Sequence, residues 1–426
     1  MSENTGLNLE TCPLDKVNTT DPIFLQDPYP FYARMRREAP VFRDPKTNIV
    51  YVATYDLIRQ ATAKPLIFSN KFGVQLRSGA ATEQDPKEAA IDAKGWITKD
   101  TMLTADPPEH TRYRKLAMKA FSYKRVLQMS AYVVDLVNDL IDKLPQSGKI
   151  EFKSQFANKL PMFVIADALG VPRSDFDKFE LWSNAFVMRL GGMASPEERL
   201  DAAEKILEFQ KYFVNVIEEK RANPTDDVIS DLVHADLSEE GDDRKMTYEE
   251  LLSILQQLLV AGNETTAHTL TAGLYYLLSH PDQMEALKAD PSKVNNFVEE
   301  VLRYLSPTNN MWRVATQDTE LGGVKIKKND LLLLRFGSGN RDEAVFSNPE
   351  AFDMTRENAN KHLAFGSGIH TCLGAQLARK ELQTAFPILL KRLKNIRLDP
   401  ENNDLFYLPT ILLRGVMALN IEYEKA

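Results

Sequence analysis

Cys372 stands in the segment Phe365-Gly-Ser-Gly-Ile-His370-Thr-Cys372-Leu-Gly374, just ahead of a proline-free helical pattern from Ala375 to Phe386. A cysteine at a helix N-terminus meets unpaired amides and the positive end of the dipole, and both favour thiolate over thiol. Gly366 and Gly368 permit a tight turn that brings amides near the sulfur, and Gly374 lets a flat ligand approach closely. A lone cysteine is ordinarily an inert buried side chain, so its setting decides the matter. Three other groupings carry chemistry-bearing types. Ala261-Gly-Asn-Glu264-Thr265-Thr266 puts a carboxylate beside a hydroxyl. Its glycine costs a helix interior about 1 kcal/mol, and the plain explanation is helix packing by small residues. Glu300 and Arg303 are an acid–base pair three apart, a common surface feature. His110 and Arg114 follow two prolines, as a helix start followed by a basic face would; four apart, they share that face.

The elements that must position these residues are mostly helices. Met118 to Leu144, Asp175 to Leu190 and Pro196 to Arg221 carry apolar residues at mixed spacings of three and four. The longest pattern runs from Tyr248 to Ser279, with a capping box at Thr247 and Glu250 and a stop at His280-Pro281. Strand signals are confined to Ile49–Ala53 and to Trp312–Leu334, with turns at Gly322-Gly323 and Lys328-Asn329-Asp330. The fold class is therefore mainly α with a small segregated β region. Phe72 to Thr101 fits no regular element and reads as a long loop, a length that usually signals function or mobility. Residues 1–20 are expected to be a flexible N-terminal tail, and residues 21–426 a single domain.

Composition narrows the function by exclusion. Two cysteines in 426 residues rule out a disulfide-rich scaffold and a four-cysteine zinc site. The chain has 52 basic and 60 acidic residues, a net charge of −8, and no basic block, which argues against nucleic acid as the main partner. No apolar run reaches the roughly 20 residues of a membrane span. The N-terminus lacks the basic-then-apolar order of a secretory signal. A soluble, cytoplasmic protein, large enough to enclose a buried site, is the expectation.

The cysteine segment matches Phe-x-x-Gly-x-His-x-Cys-x-Gly and so resembles the haem-binding loop of the cytochrome P450 family. The resemblance implies that fold, with the long helix lying over a haem. It makes Cys372 the thiolate ligand of the iron in haem b, with Phe365 beside the sulfur, Gly374 near the ring and His370 at a propionate. A thiolate pushes electron density onto iron and favours O–O cleavage. The same likeness makes Ala261 to Thr266 the oxygen-binding kink, where Gly262 relaxes the helix. Glu264 then relays protons and the Thr265 hydroxyl meets the distal oxygen, since cleavage needs protons in a water-poor site. Glu300 and Arg303 match the family's Glu-x-x-Arg signature, with Arg356 as the expected third member of a structural cluster. His110, Arg114 and Arg313 match propionate-binding positions. The likeness extends along nearly the whole chain, beginning at Asp27-Pro-Tyr-Pro.

The implied activity is monooxygenation: one oxygen atom from O2 enters a small-to-medium organic substrate, by hydroxylation or O-demethylation. Electrons would come from a separate ferredoxin or flavodoxin with its NAD(P)H reductase, docking on a basic patch of Arg112, Lys115, Lys119 and Lys380. The alternatives are a peroxide-driven or isomerising haem-thiolate enzyme and a non-catalytic haem sensor. Substrate contacts are expected from Phe72, Val74 and Trp96 in the long loop, from Gln257 and Val260, and from Asn309 and Met311. The amides of Gln257 and Asn309 are candidates to anchor a substrate hydroxyl or carbonyl, because an unpaired polar group is costly in a dry pocket.

Overall fold

The computed structural model describes residues 9–73, 85–121, 123–191, 194–236, 238, 244–402 and 405–426. They fall into two compact units, each assembled from three separate stretches of chain. The first comprises Met1–Gln75, Thr271–Cys372 and Leu398–Leu419; the second comprises Leu76–Leu270, Leu373–Arg397 and Asn420–Ala426.

In the first unit, short runs of consecutive apolar residues make a sheet that is buried on both faces. Strands β1 (Val41–Arg43) and β2 (Val50–Val52) pair antiparallel, and β2 pairs parallel with β8 (Leu331–Leu334). β5 (Met311–Ala315) lies antiparallel to β8, and β3 (Phe68–Ser69) closes the order β1-β2-β8-β5-β3. The β6–β7 hairpin, Thr319–Leu321 with Val324–Ile326, turns at Gly322-Gly323, both at positive φ, which glycine tolerates without strain. Val50, Val52, Leu332 and Leu334 pack with Tyr55, Ile58, Phe336 and Phe346 into one core. That core fixes the register of β5, and with it the position of Arg313 opposite Leu332.

The second unit is built on helices. Pro196–Ala222 begins at Ser195, whose hydroxyl accepts from the Glu198 amide at 3.2 Å while Glu198 accepts from the Ser195 amide at 2.8 Å. It packs on Phe176–Gly191 through an aromatic cluster in which the Phe209 ring lies 4.7 Å from Phe213 and 5.8 Å from Trp182. The long helix Tyr248–Ser279 has the same kind of cap, with the Thr247 amide donating to Glu250 at 2.8 Å. Its 32 residues rise through about 48 Å. It belongs to the second unit through Leu270 and to the first from Thr271. A three-stranded sheet, β4 (Ser147–Glu151), β10 (Asn420–Lys425) and β9 (Leu393–Leu398), completes the second unit; its short, polar strands left no signal in the sequence.

Three expectations about elements need correction. The pattern from Met118 to Leu144 is two helices, Glu109–Ala120 and Tyr123–Lys143, because Phe121 leaves helical geometry at φ −100°, ψ 45°. The Phe72–Thr101 loop contains a helix, Pro86–Asp92, started by Asp85, whose carboxylate accepts from the Lys87 amide at 2.7 Å. Glu88, from that helix, is buried against Arg189 and Arg199, so this part of the loop is anchored. The helix after the cysteine runs from Ala375 to Arg392, straight through Pro387. A proline inside a helix forfeits a hydrogen bond, and burial of Leu389 and Leu390 offsets the loss.

Candidate active site

In the first unit the cysteine loop is shaped by its own backbone. Gly366 and Gly368 sit at φ +69° and +77°, where a side chain would be strained. A Cβ on Gly368 would also collide with the Thr62 carbonyl, and Ser367 is tied to Thr62 by a 2.5 Å hydroxyl contact. The Cys372 amide donates to the Phe365 carbonyl at 2.9 Å, and the Thr371 hydroxyl donates to the Gly368 carbonyl at 2.7 Å. The turn is closed, yet the cysteine itself is exposed.

Behind the loop lies a fully buried ion cluster. Glu300 accepts from Arg303 through both carboxylate oxygens, at 2.7 Å each, and from Arg356 Nε at 3.2 Å. The spare guanidinium hydrogens go to the carbonyls of Asn340, Pro349 and Ala351 from Arg303, and of Ser347 and Asn348 from Arg356. Asn340 passes the restraint on, because its side-chain oxygen accepts from the Leu363 amide at 2.5 Å, two residues before Phe365. His362 supplies a parallel strut: Nε2 lies 3.2 Å from Glu299, and Nδ1 accepts from the Ala364 amide. The Phe365 ring packs on His362 at 5.5 Å. Arg313 is buried on β5, with Nη1 donating to the Trp312 carbonyl.

In the second unit the long helix stacks its hydroxyls in a row, since Ala261, Thr265 and Thr269 are each four residues apart. Thr265 Oγ1 donates to the Ala261 carbonyl at 3.0 Å, and Thr269 Oγ1 donates to the Thr265 carbonyl at 2.7 Å. Ala261 is exposed, although it lies in mid-helix. A Cβ on Gly262 would meet Ile165 at 3.6 Å, an ordinary contact, so packing alone does not require glycine there. The helix passes through Gly262 without interruption. Glu264 Oε2 is buried and lies 3.6 Å from His268 Nε2. Burial holds His268 below the usual imidazole range, and burial likewise lowers the Lys153 ammonium, against the opposing pull of Glu264. On the helix Glu109–Ala120, His110 is buried; burial first, and then the charge of Arg114, lowers its pKa.

The model of the cytochrome P450 family matches residues 193–414 of this chain. The chain is 36% identical over 408 residues to the cytochrome P450 monooxygenase PikC of Streptomyces venezuelae, covering 94% of this chain and 92% of that protein. It is 36% identical over 395 residues to a steroid C26-monooxygenase of Mycobacterium tuberculosis, covering 93% of this chain and 93% of that protein. The chain belongs to the cytochrome P450 family. The solved structure of the cytochrome P450 CYP109Q5 from Chondromyces apiculatus agrees, with a TM-score of 0.83 at 32% identity, covering 97% of this chain and all of that one. As a cytochrome P450, the protein is an oxidoreductase that incorporates oxygen from O2, and the family carries haem on a cysteine thiolate. The residues present suit such a group. An exposed thiol stands on a braced turn, and a Cβ on Gly374 would meet nothing within 4 Å, which leaves room for a flat ring. No described helix is long and apolar enough to cross a membrane.

Of the residues expected to touch substrate in this cytochrome P450, Val74 lies outside the described residues. Phe72 is buried. Trp96 lies in the second unit. Its backbone is clamped by Gln210, and its ring lies 6.2 Å from Tyr248, near the start of the long helix. Tyr248 precedes Thr265 by about 25 Å of helix, too far for one small substrate to touch both. Gln257 uses its carbonyl to accept the Leu103 amide at 3.1 Å, so its side chain is already engaged with the backbone. Val260 is half-buried on the same helix, and Met311 is half-buried on β5. Asn309 is buried, and its carbonyl accepts from the Tyr32 hydroxyl at 2.9 Å. Arg112, expected in a docking patch, instead donates to the Arg244 carbonyl and lies 3.7 Å from Glu250. Three supporting residues escaped the sequence reading: Asn340, Lys153 and His268. Only His268 left a signal, its four-residue spacing from Glu264.

Proposed function

We propose that this protein binds haem b through the Cys372 thiolate and inserts one oxygen atom from O2 into a small-to-medium organic substrate, by hydroxylation or O-demethylation. It works in the cytoplasm and takes electrons from a separate ferredoxin or flavodoxin with its NAD(P)H reductase. The observation that carries the reading is the cysteine loop: an exposed thiol on a turn closed by the Phe365 carbonyl and braced by the Glu300 cluster. Haem, when bound, supplies the redox-active iron at which O2 is reduced and split.

The chain's own residues do the rest. The closed turn fixes the backbone that carries the Cys372 sulfur, so little backbone motion is lost on ligation. Arg114 and Arg313 supply positive charge that propionates need when they leave water, and the imidazoles of His110 and His370 supply hydrogen-bond donors. Glu264 and Thr265 are neighbours, one able to exchange a proton and the other to pass it on. The Thr265 hydrogen rests on the Ala261 carbonyl, and rotation about the C–O bond redirects it while an oxygen lone pair accepts the next proton. A haem sensor needs no such pair. The exposed Lys115 and Lys380 offer positive charge to an acidic electron donor.

Turnover with NADH, surrogate redox proteins and isotopically labelled O2 tests the reading. Label in the product supports it. Thiolate-ligated haem with no labelled product from a broad substrate panel would instead indicate the sensor.

A further inference from the structure

Arg335 follows the four leucines of β8 and is fully buried. Its guanidinium lies over the Tyr51 ring at 4.3 Å and the Tyr32 ring at 5.4 Å, and Nη1 reaches the Tyr32 hydroxyl at a long 3.4 Å. Among the described residues, Nε and Nη2 have no hydrogen-bond partner and no carboxylate pairs with this charge. The Tyr32 hydroxyl donates to Asn309 Oδ1, which Asn310 Nδ2 also approaches at 3.3 Å. Asn309 Nδ2 and Asn310 Oδ1 are buried without partners among the described residues. A second buried guanidinium, Arg414, donates to the carbonyls of Leu25 and Gln26, and no described carboxylate pairs with it either. Both charges act on Tyr32, whose phenol burial nevertheless holds above its ordinary range, so it stays neutral and compensates neither. The carboxylate met through the Tyr51 hydroxyl, Asp44, is already taken by Thr47 and the Lys46 amide.

A buried cation without a counter-charge is among the costliest groupings in a protein, and stacking on aromatic rings offsets only part of the cost. Here three orphan donors, Arg335 Nε and Nη2 and Asn309 Nδ2, lie within one cluster that carries surplus positive charge. We propose that this cluster is a binding site for a small inorganic anion of chloride size. The donors take the anion, and one water accompanying it donates to Asn310 Oδ1. Complete burial favours a monatomic ion over a substrate carboxylate, whose carbon chain would need an exit.

The test uses the full haem-loaded chain at fixed ionic strength, with chloride exchanged for gluconate. Chloride should raise the unfolding midpoint by about 1–3 °C, and bromide-soaked crystals should show anomalous density beside Arg335. Asn309→Asp places a carboxylate within the cluster; it should raise the midpoint in gluconate and abolish the chloride dependence. Arg335→Met should abolish that dependence as well, and the wild-type and Asn309→Asp arms stand if that variant fails to fold. Equal midpoints in chloride and gluconate, with no bromide density at Arg335, would overturn the proposal in favour of water alone. So would an Asn309→Asp variant that is destabilised in both salts.

Discussion

Thr265 and Glu264 do different jobs from adjacent positions, and their variants should separate those jobs. Thr265 keeps its hydroxyl on a backbone carbonyl, so Thr265→Ala removes a proton carrier without opening a buried polar gap. Product formation should fall about 100-fold while NADH consumption persists, the scale expected for loss of positioned proton transfer. Product per NADH consumed checks it; unchanged coupling would place the proton path elsewhere. Glu381 gives a second prediction, about stability. It is buried on the helix Ala375–Arg392, its Oε2 lacks a described partner, and burial pushes its pKa well above the usual carboxylate value. The folded protein therefore binds a proton there that the unfolded chain releases above its ordinary carboxylate pKa. Stability should fall as pH rises through that value and on towards the raised folded one. Glu381→Gln should raise the unfolding midpoint at neutral pH and flatten its pH dependence, as thermal melts between pH 4 and 8 would show. A variant less stable at neutral pH would contradict the assignment.

The elements that carry these residues are held by a few discrete devices. Glu300, Arg303 and Arg356 brace the segment from Asn340 to Arg356, and Asn340 passes the restraint to the cysteine loop. Removing the shared carboxylate leaves two buried guanidinium charges uncompensated, so Glu300→Gln should cost about 3–5 kcal/mol. Denaturant titration measures it, and a loss below about 1 kcal/mol would show the cluster dispensable. At the start of the long helix, Thr247→Ala should cost about 1 kcal/mol, the usual worth of a lost cap. These devices differ in how plainly the sequence announces them. Caps, the pairing of Glu300 with Arg303 and the Gly322-Gly323 turn are local, and their spacing is enough. Arg356 reaches Glu300 across more than fifty residues, which no spacing can reveal; only the family likeness suggested it. The helix at Pro86 carried a clear Asp-Pro start signal, hidden by the glycines and charges around it. The helix through Pro387 breaks a local rule, and burial of its apolar face outweighs that rule.

At the scale of the molecule, two discontinuous units share one long helix, and the chemistry-bearing residues are divided between them. Cys372, Phe365, His370 and Arg313 belong to the first unit; Glu264, Thr265, His110 and Arg114 belong to the second. The reaction class was legible because the cysteine loop and the long helix are dense local motifs. The substrate was not, because side chains such as Gln257 and Asn309 are committed to tertiary partners that their types do not disclose. The central claim is that Cys372, and not Cys12, ligates the haem iron, and the ferrous carbonyl spectrum tests it most directly. The wild-type protein and Cys12→Ser should both show the red-shifted band of thiolate ligation, and Cys372→Ser should lose it. Persistence of that band in Cys372→Ser, or its absence from haem-loaded wild type, would contradict the account.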